Sequence, residues 1–217
     1  MSSATATAET IAELLEHLGD IPPHRVRLRP APGTATERDV IATEARENRL
    51  CELVDGVLVE KVMAYYEARV ATVISHFLED YLEEDDRGIV AGADGMMRLA
   101  PGLVRIPDVS FISWDRLPGR QVPRQPIAAL APDLAVEVLS EGNTQKEIDR
   151  KIGEYFAAGA RLVWIVDPAA RSVHVYKGPD ECTRLNERQT HKGGTLLPGF
   201  ALLLRKLFAR AEGRRGR

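Results

Sequence analysis

Cysteine is scarce in this chain: Cys51 and Cys182 are the two in 217 residues, far apart and in unlike surroundings. That excludes a disulfide framework and a cysteine-paired metal knuckle, and points to a reducing, cytoplasmic location. Aromatic residues make up only 6%, which argues against a sugar cleft, since such clefts are usually lined by rings. No apolar run reaches the roughly 18 residues of a membrane span. Met1 to Thr10 lacks the basic-then-apolar pattern of a secretory leader. Serine and cysteine hydrolase chemistry is not indicated either: no G-x-S-x-G occurs, and neither cysteine stands in a recognisable pattern with a histidine. An excess of positive charge is missing too. The net charge of −3 offers nucleic acid no overall attraction, although a local basic surface can coexist with an acidic total. The stretch from Arg210 to Arg217 holds four arginines and reads first as a frayed, solubilising tail.

What is present is a chain that is 44% hydrophobic, enough for one sizeable core. Ile11, Leu14, Leu15 and Leu18 recur at helical spacing, a Pro-rich connector from Ile21 to Gly33 is expected to cross the surface, and Thr36 with Asp39 forms a capping box for a second helix. Residues 51–60 (CELVDGVLVE) predict a hairpin turning at Asp55-Gly56. A long helix is expected from Ala64 to Glu83, followed by strands over 88–91, 95–99 and 103–112. A Pro-rich loop, 115–133, leads into the apolar strand Leu134–Leu139, a helix over 144–158 and a further strand at Leu162–Val166. A turn at Asp167-Pro168, a strand at Ser172–Lys177, a polar meander and a strand entering a short helix at GFALLLRKLF complete the order. This describes an α/β (α+β) fold, a central mixed sheet flanked by helices, with an N-terminal hairpin and helical extension. The expected organisation is a helical extension and linker (1–44), a main domain (45–207) and a basic tail (208–217).

Two carboxylates do not suit a core. Asp108 interrupts the β pattern LVRIPDVSFI directly after Pro107, a residue that cannot donate to a sheet ladder and so marks a bulge, an edge or a strand start. A strand-end aspartate satisfied by backbone amides is the plain alternative. Glu137 sits in the middle of LAVEVL, a run of the kind buried on both faces. An uncompensated carboxylate there costs several kcal/mol even after relaxation, so it needs a cation, a raised pKa or a salt bridge to an arginine such as Arg105 or Arg161. Two strand carboxylates converging on an opening suit a hard divalent cation such as Mg²⁺, with water completing the shell. Thr144-Gln145-Lys146-Glu147 reads as a capping box. From that start Ile148, Ile152, Tyr155 and Phe156 face inward, Lys146 and Arg150 point away, and Lys151 lies at the flank of the buried face. Lys151 can lean towards Glu137, or its stem can cover the core edge.

With these residues in view, the chain resembles the Uma-type restriction endonuclease family, a branch of the PD-(D/E)XK nuclease superfamily. The resemblance is carried by ELVDG (52–56), PDV (107–109), PDLAVEVLS (132–140), DRK through YFAAG (149–159) and VWIVDP (163–168), and it spans roughly 45–207. It implies Mg²⁺- or Mn²⁺-dependent hydrolysis of DNA phosphodiesters. Asp108 and Glu137 match the two metal-binding acids, and the backbone carbonyl of Val138 would be a further ligand. The superfamily's lysine normally stands two residues after the second acid. Here that position is Leu139, and Lys151 matches a lysine displaced to the following helix. Glu52 matches the acid of the ELVDG segment, as a residue supporting the metal ligands from behind, as an additional metal ligand, or as a surface glutamate of the hairpin. Where many relatives carry Ser-Pro-x-x-His after the hairpin, this chain has Tyr65-Tyr66-Glu67-Ala68-Arg69, so no role of that histidine is carried over.

The sequence therefore predicts a metal-dependent DNA endonuclease with catalytic Asp108, Glu137 and Lys151, in which lysine orients or deprotonates a bound water. Double-strand cutting would favour a homodimer. A competing reading is a catalytically inactive, nuclease-like DNA-binding or interaction module. A glycosidase using the same two acids is disfavoured by the few aromatics nearby, Phe111 and Trp114.

Overall fold

In a computed structural model, the structure describes residues 8–214. Most of the stretch read for a leader and the last arginines lie outside them. The chain forms α1 (Ile11–His17), α2 (Glu37–Glu47), β1 (Cys51–Val54), β2 (Val57–Glu60) and the long α3 (Tyr65–Glu84). β3 (Gly88–Ala91), β4 (Met96–Ala100), β5 (Leu103–Arg105) and β6 (Val109–Ser113) come next. A loop with two 3₁₀ turns and the short β7 (Ile127–Ala128) precedes β8 (Leu134–Val138), α4 (Gln145–Ala157) and β9 (Leu162–Asp167). β10 (Ser172–Gly178), β11 (Glu181–Asn186), β12 (Thr190–Lys192), β13 (Ala201–Leu203) and α5 (Leu204–Ala211) complete it. Among the described residues no helix is long and apolar enough to cross a membrane.

The strands form two mixed sheets where one central sheet is expected. The first runs β2-β1-β5-β4-β7, the second β11-β10-β9-β8-β6-β3, and β12 pairs with β13 alone. Parallel pairing occurs at β4–β7 and β8–β9; every other pair is antiparallel. The run 103–112 is the correction that matters most. It is two strands, one in each sheet, because Pro107 has no N–H with which to continue a ladder. Ile106-Pro107-Asp108 is thus a crossing between sheets.

The second sheet is covered on both faces. Val70, Ile74 and Leu78 of α3, with Leu207 and Phe208 of α5, pack on Val109, Leu134, Val136 and Trp164. Each such buried side chain contributes about 2 kcal/mol. Ile148, Ile152 and Tyr155 of α4 cover the opposite face, against Ala135, Val163 and Ile165. The alternation along β8 therefore sends Val136 and Val138 one way and Ala135 and Glu137 the other, towards α4.

Four expectations need amending. Ile11 is 67% exposed, so the α1 stripe narrows to Leu14, Leu15 and Leu18. The connector after α1 does not merely cross the surface: Ile21 and Arg25 are buried, and Val26 bridges to Val59. The Thr144 cap is half a capping box. Its hydroxyl accepts from Glu147 N at 3.1 Å, but the Glu147 carboxylate turns to Arg25 instead. The tail expected from residue 208 begins later, since α5 runs to Ala211 with Phe208 fully buried.

Candidate active site

Asp108 stands where the chain leaves the first sheet and enters the second. Its N–H donates to Val136 O at 2.9 Å, and its Oδ2 accepts from Val138 N at 2.7 Å. The side chain thus takes the place of a backbone acceptor at the end of the β6–β8 ladder, which fixes where the carboxylate points. The backbone-amide alternative describes this half of the site correctly. Oδ1 does something else: it pairs with Lys61 Nζ at 2.8 Å, and Lys61 also donates to the Ile106 carbonyl. Both charged side chains are nearly buried.

Glu137 is 5% exposed and faces α4. Lys151 Nζ reaches its Oε2 at 3.0 Å, and Tyr155 OH donates to Oε1 at 2.6 Å. Lys151 and Tyr155 lie one helical turn apart, on the same face. The expected lean of Lys151 towards the sheet is therefore what the structure contains. The arginine alternatives for Glu137 are not: Arg105 is engaged elsewhere, and Arg161 is exposed.

Glu52 is 1% exposed, which removes the surface-glutamate reading. Its Oε1 accepts from Ile106 N at 3.1 Å and faces Lys151 Nζ at 3.2 Å, while Oε2 accepts from Arg105 at 2.6 Å. Arg105 in turn donates to Glu154 at 2.7 Å. Lys151 therefore bridges the two sheets through their acids, Glu52 from the first and Glu137 from the second.

These ions titrate abnormally for identifiable reasons. Burial raises the Glu137 carboxyl above the usual range, and the charges of Asp108 and Glu52 raise it further against the pull of Lys151 and Lys61. Burial also works to raise Glu52, but Lys151, Arg105 and Lys61 outweigh it and hold that carboxyl well below normal. Burial opposes the charge on Lys151; Glu137 and Glu52 overcome it and hold the ammonium protonated beyond its ordinary range. Tyr155 is pushed up by burial and by the Glu137 charge, so its hydroxyl stays a donor.

The anticipated acids and Lys151 thus come together, but Lys61, Tyr155 and the Arg105 link were not foreseen. Lys61 left a weaker signal: a charged residue directly after a strand whose Val57, Leu58 and Val59 are all buried. Tyr155 on an inward helical face was equally bound to need a partner for its hydroxyl.

Whether this donor set suits a divalent cation can be judged from its chemistry. Among the described residues no three or more Asp, Glu, His or Cys side chains converge as a preformed cage. Two buried carboxylates beside a peptide carbonyl are nonetheless a donor set that Mg²⁺ takes when water and substrate oxygens fill its remaining positions. Burial is the main reason the Glu137 carboxyl is raised, and the nearby Asp108 and Glu52 charges add to it; a cation at the pair would oppose both. The residues fit.

An acid at a sheet crossing, a second acid on the adjoining strand and a lysine from the covering helix, on this α+β frame, define a restriction-endonuclease-like protein. The chain belongs to the Uma2 family, described as "Putative restriction endonuclease", whose model matches residues 39–207. It is similar in fold to a crystal structure from Anabaena variabilis ATCC 29413 titled "a putative nuclease belonging to DUF820". The TM-score is 0.67 at 18% identity, covering 75% of this chain and 91% of that one. No curated protein matches the chain significantly.

Proposed function

We propose that the chain is a metal-dependent endonuclease that hydrolyses DNA phosphodiester bonds at Asp108 and Glu137. One observation carries the reading: Asp108, at the sheet crossing, accepts from the N–H of Val138, next to Glu137, and both acids are buried, in a chain of this family. Asp108, Glu137 and the Val138 carbonyl would hold Mg²⁺ or Mn²⁺. A cation bound there supplies a Lewis acid for the phosphate and a water of lowered pKa. The chain's own part is to fix those donors. Val138 N–H orients Asp108, Tyr155 orients Glu137, and Lys151 neutralises Glu137 and Glu52 together. Glu52, on the first sheet, anchors Arg105 and Lys151.

The test incubates purified protein with plasmid and single-stranded DNA in Mg²⁺ or Mn²⁺, beside Asp108→Asn and Glu137→Gln. Both variants should fold and lose cleavage; full activity in either would sink the assignment. The second reading is an inactive DNA-binding module, favoured by the lysine ammonium groups that sit on oxygens of both acids. Under it, Mg²⁺ titration would leave the melting temperature unmoved, because an ion that does not bind the folded state cannot stabilise it.

A further inference from the structure

The two lysines of the site differ in what lies beyond them. Lys151 is 3% exposed, with Nζ held between Glu137 and Glu52. Lys61 lines a surface cavity of about 330 Å³ between the end of α2, the end of β2 and the loop after β3. That cavity adjoins a second one of about 440 Å³, and Asn48, Leu50 and Asp94 border both. Lys61 therefore stands between solvent and Asp108, with its ammonium 2.8 Å from Oδ1.

Its placement is built rather than incidental. The Lys61 N–H donates to Leu50 O at 2.9 Å, which closes the hairpin end, and the ammonium is tied to the Ile106 carbonyl beside the sheet crossing. Arg49, on the same cavity wall, is partnered by Glu60 at 2.7 Å. Lys61 is thus the cation that joins the cavity to the acid pair. A phosphodiester brought to Asp108 by this route meets the Lys61 ammonium first, while Lys151 stays behind the carboxylates it neutralises.

We propose that Lys61, rather than Lys151, is the ammonium group that contacts the scissile phosphate, and that Lys151 is a positioning residue for Glu137 and Glu52. The proposal rests on the phosphodiesterase reading of the same site. In that position the Lys61 ammonium offsets the charge that develops on the phosphate oxygens. Losing one such preorganised donor costs about 10²–10³ in turnover.

The experiment compares wild type, Lys61→Gln and Lys61→Arg. Each is measured for melting temperature, for kcat and KM on plasmid with Mn²⁺, and for the salt dependence of binding to a labelled DNA duplex in Ca²⁺. Glutamine can still hydrogen-bond to Asp108 and the Ile106 carbonyl, so the fold should survive. Expected are a kcat lower by about 10²–10³, KM changed by only a few-fold, and partial rescue by arginine. The log–log salt slope should fall by about one, the signature of one lost phosphate contact. A folded Lys61→Gln within a few-fold of wild-type kcat overturns the proposal, and so does a variant unfolded at the assay temperature, which would make the lysine structural. A wild type that binds but never cuts defeats the phosphodiesterase reading; the salt slope then still decides the contact. A wild type that neither binds nor cuts overturns both.

Discussion

Lys151→Met should expose how much the fold depends on charge compensation at the site. The ammonium lies 3.0 Å from Glu137 and 3.2 Å from Glu52. At an effective dielectric near 20, each contact is worth about 5 kcal/mol before desolvation. Burying the ions costs several kcal/mol apiece, so the net worth of the triad is far smaller than the sum. Removing the lysine alone is a different matter, because it leaves Glu137 inside without its cation and Glu52 with Arg105 alone. The expected loss is about 3–5 kcal/mol, a large share of the 5–15 kcal/mol typical of a domain. Urea unfolding followed by the fluorescence of buried Trp164 measures it, with an unchanged m value as the check that only stability moved. Neutralising one stranded acid should restore part of the loss, so Lys151→Met/Glu137→Gln should be more stable than Lys151→Met alone. A single-variant loss under about 1 kcal/mol, the range of an exposed ion pair, would refute the reasoning. So would a double variant no more stable than the single one.

Arg25→Ala removes both hydrogen bonds to Glu147, at 2.7 and 2.9 Å; with both groups buried it should lower the melting temperature by about 10 °C. Arg25→Lys should recover only part, because lysine cannot reproduce the two-pronged contact. Gly56→Ala should cost more than about 1 kcal/mol by thermal melting, because the turn needs positive φ there and an added Cβ would lie 2.5 Å from the Gly33 carbonyl oxygen. His191, packed edge-on against Trp164, is pushed down from 6.5 to about 4 by burial and then by Lys177. A depressed histidine favours its neutral form in the fold, so its stabilisation is complete above about 6.5 and fades as pH falls towards 4. That is worth about 3 kcal/mol across the window; His191→Phe should flatten the slope of stability against pH, and an unchanged slope would refute the assignment.

The acids were legible because each breaks a local rule. Glu137 sits in a strand with no polar face, and Asp108 follows a proline that cannot remain in a ladder. Lys151 was legible through helical phase alone. What a sequence does not carry is the identity of the compensating partner: a charge in an apolar run demands one, but the partner is chosen by packing. Glu52 found Arg105 and Lys151 only because Pro107 divides one apparent strand between two sheets and sets the β1 acid against α4. For the same reason Glu147, apparently half of a capping box, was free to take Arg25.

That last pairing bears on the status of residues 8–38. The family match begins at residue 39, which would leave the preceding segment an appendage. Its contacts say otherwise. Arg25 holds Glu147 on α4 and donates to the Glu60 carbonyl at 3.1 Å, directly before Lys61. Gly19 O accepts from Thr144, the α4 cap, while Gly33 and Ala35 both donate to Gly56 O in the hairpin turn, at 2.9 Å each. The segment therefore ties together the helix that supplies Lys151 and Tyr155 and the hairpin that supplies Glu52 and leads into Lys61. Four of the charged or hydroxyl groups around the acid pair depend on it for their relative positions, though none of its own residues contacts Asp108 or Glu137.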